Sequence, residues 1–324
     1  MASALGALRK RIFTPPPSEV TFEVRNFHKH DPRAQARLEM SALQFIIGFE
    51  FAIEHKQIDQ FVTRLETLDW EYRGFAYEGA TMATSLRDAF NPFPGPSLTD
   101  EFLSGVAAKH IFMAYLGIGF ALARLPKMLW RGAIPNQAMM PDHPTLNWLV
   151  VDGYGFHQAY FDKKKWVDGQ FVDRSFNWEG HREYATRVLD HGVGRAMWFV
   201  SGGDVDRLTS MVGGFAPARH SDLWSGAALA ATYAGGVDEE SLELLAKNAH
   251  DFKLEVAQGA VFALKARVLA ELVTPHNELA SQVFCGRTAA EASELADIAV
   301  IDLADEGSVP AYEIFRQRIQ RNFE

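Results

Sequence analysis

By residue type and spacing, Asp152 and His191 are the pair in this 324-residue chain best suited to acid–base chemistry. Each stands three residues before a glycine, Gly155 and Gly194. At the same place before Gly48, Gly79, Gly119, Gly226 and Gly259 stand Phe45, Ala76, Leu116, Leu223 and Val256, all apolar. A carboxylate and an imidazole set into an apolar pattern are costly unless paired and hydrogen-bonded. Facing each other across adjacent helices, they would meet that demand and could pass a proton near neutral pH. The alternative is an interhelical hydrogen bond that only fixes register, since buried polar groups usually have structural partners.

Further candidates gather around this pair. Arg187, Arg195 and Trp198 share the segment of His191, and Arg187 and Trp198 break the same pattern that His191 breaks. Glu78, one residue before Gly79, is placed to line an inner surface, and His157, two after Gly155, sits among Phe156 and Tyr160. Trp224, with Asp222, opens the segment leading to Gly226. Glu78, His157, Arg187, Arg195, Trp198 and Trp224 are therefore the candidate substrate-binding residues. A solvated, capping or packing role is the competing reading of each. His110, His181, His220 and His250 have no paired ligand spacing, so no metal is expected. The chain has no phosphate-binding glycine loop with its lysine, no H-E-x-x-H and no G-x-S-x-G. Gly153-Tyr154-Gly155 resembles half of a dinucleotide motif, but its context is helical, and no cofactor is expected.

What must position these residues is a recurrence. The steps along the series Gly48, Gly79, Gly119, Gly155, Gly194, Gly226, Gly259 are 31, 40, 36, 39, 32 and 33 residues. All but Gly194 have alanine four residues later; there Trp198 replaces it. Positions seven and three before a glycine, and four after, share its helix face. Glycine costs about 1 kcal/mol relative to alanine within a helix, so seven of them call for close approach between stacked helices. A repeat of this length marks tandem helical hairpins. The expected fold is all-α, a single helical-repeat domain over 31–300, as an open solenoid or a closed α/α toroid. Residues 1–30 read as an extended arm, with Pro15-Pro16-Pro17 and a strand-like alternation at Val20–Val24. Residues 301–324 read as a capping helix with a polar outer face. Asn91–Pro96 should stop the second glycine helix, and the stretch Leu125–Thr145, with Pro126, Pro135, Pro141 and Pro144, should be irregular.

Composition narrows the function classes. The formal net charge of −9 argues against nucleic acid as the partner. Cys285 is the single cysteine, which favours a reducing compartment and a cytoplasmic location. The most apolar run, Ile111–Leu122, has the length of a buried helix and falls short of a membrane span.

The blocks RGFAYEGATMA (Arg73–Ala83), YLGIGFALARLP (Tyr115–Pro126), DGYGFHQAYF (Asp152–Phe161), HGVGRAMWF (His191–Phe199), DLWSGAALAATYAGG (Asp222–Gly236) and AQGAVFALKAR (Ala257–Arg267) resemble the bacterial family called domain of unknown function 1702. The early LRKRIF and the late TPHN fit the same pattern. Members are often encoded in natural-product gene clusters, notably those for enediynes. The resemblance thus implies a role in specialised metabolism, with an apolar polyene or isoprenoid intermediate as ligand. It carries over no catalytic residue. The functional expectation is a cofactor-independent cyclase or isomerase, or a ligand-binding protein, of polyketide or terpenoid biosynthesis, with Asp152 and His191 as acid and base. The alternative is a non-catalytic helical-repeat scaffold that binds partner proteins of the pathway, and self-association stays open. Convergence of the polar residues on one enclosed pocket would favour the first.

Overall fold

The computed structural model describes residues 4–91, 95–136, 145–304 and 308–324, and among them the chain is helical with no β-strand. Pro92, Phe93 and Pro94 of the expected helix stop, and Pro141 and Pro144 of the expected irregular stretch, lie outside the described residues. Helices α1 (Ala4–Phe13) and α2 (Phe22–Arg25) precede the long α3 (Pro32–Glu54). Short helices then alternate with long ones: α4 (Ile58–Leu65) and α5 (Arg73–Ala89), α6 (Leu98–Ser104) and α7 (Ile111–Arg124), α8 (Trp130–Ala133) and α9 (Trp148–Phe161). The segment after α9 holds a π-helical turn, Lys164–Asp168, before α10 (Arg182–Val200). Next come α11 (Val205–Gly213) and α12 (His220–Ala234), then α13 (Glu239–Asn248) and α14 (Lys253–Leu269). Helices α15 (Pro275–Cys285), α16 (Ala289–Ala299) and α17 (Ala311–Gln320) follow.

The seven glycines of the series fall on α3, α5, α7, α9, α10, α12 and α14, and these helices pack on one another in that order. A methyl group on any of the seven would lie 1.9–2.5 Å from a carbonyl oxygen of a neighbouring helix. Three of the helices carry Gly-x-Gly. Gly117 faces the Glu78 carbonyl on the preceding α5, while Gly119 faces the Val150 carbonyl on the following α9. Gly153 and Gly155 divide in the same way between α7 and α10, as do Gly192 and Gly194 between α9 and α12. Residues two apart point to nearly opposite sides of a helix, so Gly-x-Gly marks a helix pressed closely from both sides.

Neighbouring long helices run parallel. Arg37 near the start of α3 pairs with Glu71, just before α5, and Arg87 near the end of α5 donates to the Ala52 carbonyl near the end of α3. Arg187 meets Asp222 at the starts of α10 and α12, and Trp198 Nε1 donates to Gly235 O at their ends (3.0 Å). Ser225 with Gln258, and Tyr233 with Arg267, do the same for α12 and α14. Helix α12 also packs on α3.

Local sequence explains the ends. Asp31 caps α3, accepting from Arg33 N and Ala34 N, both at 3.2 Å, with Pro32 in the first turn. In the Thr274-Pro275-His276-Asn277 turn, Thr274 and Asn277 form a capping box. The same turn satisfies the end of α12, where His276 Nε2 bonds Ala231 O (2.8 Å) and Asn277 Nδ2 donates to Thr232 O (2.7 Å). Thr274→Ala is expected to cost ~1 kcal/mol, measurable as a lower urea midpoint at unchanged slope.

One expectation is corrected. The N-terminal arm is largely helical, not extended: α1 packs on α3, and Val20–Val24 ends the 3-10 turn Pro17–Val20 and begins α2. Among the described residues no strand edge lies nearby to pair with it, whereas the Thr21 hydroxyl accepts from Val24 N and starts a turn that buries Phe22. The last helix leaves Gln317 exposed on its outer side and buries its inner side. Tyr312, Phe315 and Arg316 of α17 are buried. Tyr312 stacks near Trp148, and Arg316 Nη1 donates to Asp222 Oδ1 (2.8 Å), which draws the helix inward.

Candidate functional site

Helices α3, α5, α7, α9, α10 and α12 together wall one chamber, whose empty space, its opening included, is ≈ 860 Å³. Its wall is mainly apolar and aromatic, with Phe45, Phe75, Phe120, Phe156 and Phe199 among the lining side chains. Pro15 and Val20 of the N-terminal segment also line it, so residues 4–30 form part of its roof. Tyr160, another lining residue, holds that roof through its hydroxyl, which donates to Val20 O (3.4 Å). The wall positions follow a rule. On α7, α9 and α10 the lining pairs Phe120/Arg124, Phe156/Tyr160 and Arg195/Phe199 stand one and five residues after their glycine.

Among the lining residues the acid is Glu78, 3% exposed and without a hydrogen-bond partner for Oε1. Burial, with the nearby Asp152 charge adding to it, pushes its carboxyl up to about 8, although Arg195 opposes the rise. Glu78 is therefore mostly a neutral acid at pH 7, able to donate or accept a proton. Arg195 Nη2 lies 4.0 Å from Glu78 Oε1, and its guanidinium covers the Phe156 ring at 4.9 Å from the centroid.

Arg195 is held from behind. Its Nη1 donates to Asp152 Oδ1, and Asp152 Oδ2 bonds His191 Nδ1. Asp152 is fully buried, which by itself raises its carboxyl, yet Arg195 and His191 together hold it below the usual carboxylate range. The ionised Asp152 thus accepts from both, and His191 Nε2 is left buried without a partner. The sequence pairing of Asp152 with His191 is realised, but neither lines the chamber. The reason is rotational: on α9 and α10 the position three before the glycine lies at the seam between the two helices, whereas the position one after it, Phe156 or Arg195, lines the chamber.

His157 does line the chamber. Burial, reinforced by Arg124, pushes its imidazole down to about 3, so it is neutral, with Nδ1 unpartnered. The other candidates stand apart. Arg187, itself partly exposed, pairs with the buried Asp222 and Glu313, which with Arg316 fasten α17 to α10 and α12. Trp198 is fully buried, and Trp224 lies in the core beside Asp222; neither borders the chamber.

Residues that pattern reading missed include Ser41 and Arg124 in the wall, which Tyr233 also lines. Tyr233 has its hydroxyl buried and without a partner, in space left by Gly74, where a methyl group would come within 2.0 Å of it. The signal available was positional: Arg124 stands five after Gly119, as Tyr160 does after Gly155. A second missed group lies outside the chamber, where His28, His30 and Asp204 converge. No single helix among the described residues is long and apolar enough to cross a membrane.

The family model described as Protein of unknown function (DUF1702) matches residues 4–323. No curated protein matches the chain, and no solved structure does.

Proposed function

We propose, for a chain that belongs to the DUF1702 family, that it takes an apolar natural-product intermediate, a polyene or isoprenoid, into the six-helix chamber and acts on it with Glu78. One observation carries this reading: a neutral carboxyl, with Oε1 free of any hydrogen bond, at the wall of a mainly apolar chamber. The reaction class is a cofactor-independent isomerisation or cyclisation. Glu78 gives its proton to one carbon of a bound double bond, and a proton leaves a neighbouring carbon to the carboxylate so formed. The net change is a shifted double bond, with Glu78 restored and no other reagent consumed. Arg195 steadies the transient carboxylate; Asp152 and His191, behind it, are positioning residues, not the reacting acid and base. Packing of α12 on α3 supports a closed ring of helices over an open array. Convergence of Glu78, Arg195 and His157 on one chamber favours a ligand over a scaffold role.

The test is native mass spectrometry of protein purified from its own producing host, with organic extraction of what it carries. The expected result is an apolar ligand held by wild type and by Glu78→Gln, lost in the chamber-filling Ala230→Trp, with conversion abolished in Glu78→Gln. A clean apo mass, together with no uptake of added polyene or isoprenoid, would sink the reading. So would a ligand indifferent to Ala230→Trp in a folded variant.

A further inference from the structure

The turn between α10 and α11 brings Asp204 against the segment that roofs the chamber. His28 Nε2 lies 3.1 Å and His30 Nδ1 3.5 Å from the same oxygen, Asp204 Oδ2. The three ligand atoms fall within 4.8 Å of one another. Tetrahedral bonds of ~2.0–2.1 Å to zinc place donor atoms roughly 3.3 Å apart, so the group is already close to the spacing such an ion needs. We infer that His28, His30 and Asp204 bind a divalent transition ion of the zinc type, with water completing its coordination. Two imidazoles and one carboxylate suit zinc or cobalt, not magnesium or calcium, which take oxygen donors.

The surroundings are built for it. Asp204 caps α11 through its other oxygen, Oδ1, which accepts from Arg207 N at 3.0 Å; this fixes the carboxylate and leaves Oδ2 facing the histidines. His28 N donates to Val200 O (3.0 Å). Gly202, at φ +66°, lets the backbone of His28 come so near that a methyl group there would lie 2.3 Å from its carbonyl oxygen. Ligands more than 170 residues apart in sequence are thereby joined. An ion here clasps the roof segment to the end of α10, which also supplies Phe199 to the chamber wall. This inference stands independently of what the chamber holds.

Cobalt(II) is the probe, added to the untagged full-length chain after chelator treatment. Visible absorption should saturate at a single equivalent, and zinc should displace it. His28→Ala and His30→Ala should each weaken binding by at least about tenfold, the scale of even outer-sphere losses. Both histidines are exposed, 41% and 59% at their side chains, so the variants are expected to fold, and circular dichroism checks this. Absence of binding, or equal binding by the double variant, would overturn the site. The ion should also slow hydrogen exchange at residues 4–30; binding with no such protection would overturn the clasp.

Discussion

Gly226→Ala is expected to destabilise the protein by about 3 kcal/mol or more, the upper range for overpacking, although the same change on a free helix would stabilise it by about 1 kcal/mol. The added methyl group would lie 1.9 Å from His191 O and 2.9 Å from Arg195 N. Neither is a side-chain atom that can rotate away. Ordinary contact at roughly 3.5 Å requires α10 and α12 to part, loosening the seam that aligns His191 and Arg195 with Asp152. Gly194→Ala meets Leu223 O at 2.1 Å across the same seam, so the double variant should fail to fold cooperatively. Gly213→Ala, at the end of α11 with no neighbouring atom within 4 Å, is the control and should be neutral or slightly stabilising. Urea unfolding of the three single variants decides the matter; a Gly226→Ala midpoint matching that of Gly213→Ala would refute the close-approach account.

Glu78→Gln should gain stability over wild type as pH rises. Burial pushes the Glu78 carboxyl from 4.5 up to about 8, so the folded chain keeps a proton that the unfolded chain releases across that interval. The stability this group contributes is complete below pH 4.5 and is lost as pH rises to about 8, at ~1.4 kcal/mol per pH unit. Glutamine does not titrate and shows no such loss. His110 and His157, pushed down to about 3 by burial, work in the opposite sense and cost stability as pH falls below the usual histidine range. Both chains share them, so the difference between the chains isolates Glu78. Denaturant unfolding at about pH 5 and about pH 8 should show the gap widen by several kcal/mol. A gap independent of pH would mean that Glu78 titrates as an ordinary carboxyl, and would remove the neutral acid from the proposed chemistry.

The helical architecture was legible because glycine is conspicuous where a helix disfavours it. Each of the seven spaced glycines lies against a neighbouring backbone. Asp152 and His191 were legible as a pair for a similar reason, as polar residues in an apolar register. Their role was less so, because one helix presents two neighbours and the chamber at different angles. The register that exposes a departure from the seam does not say which side chains face inward. Glu78 and Arg195 reach the wall from positions flanking their glycines, where apolar and polar residues alternate without a visible rule until the helices are assembled. The roof segment was misread because Thr21 and Asn26 make a helical turn that short alternation cannot distinguish from a strand. His28 and His30 meet a carboxylate distant in sequence, and no local spacing announces it.

The ends of the long helices have an electrostatic consequence. The last turns of α3, α9 and α12 each carry the negative pole of their own peptide dipoles. Side-chain donors meet each of these ends: Arg87 donates to Ala52 O and His55 O, Arg25 to Phe161 O, Arg37 to Ala234 O, and Arg267 to Tyr233 O. Each cation offsets the negative pole of the helix end it meets, while the neutral acid of Glu78 faces the chamber. The backbone field is thus answered helix by helix, at its source.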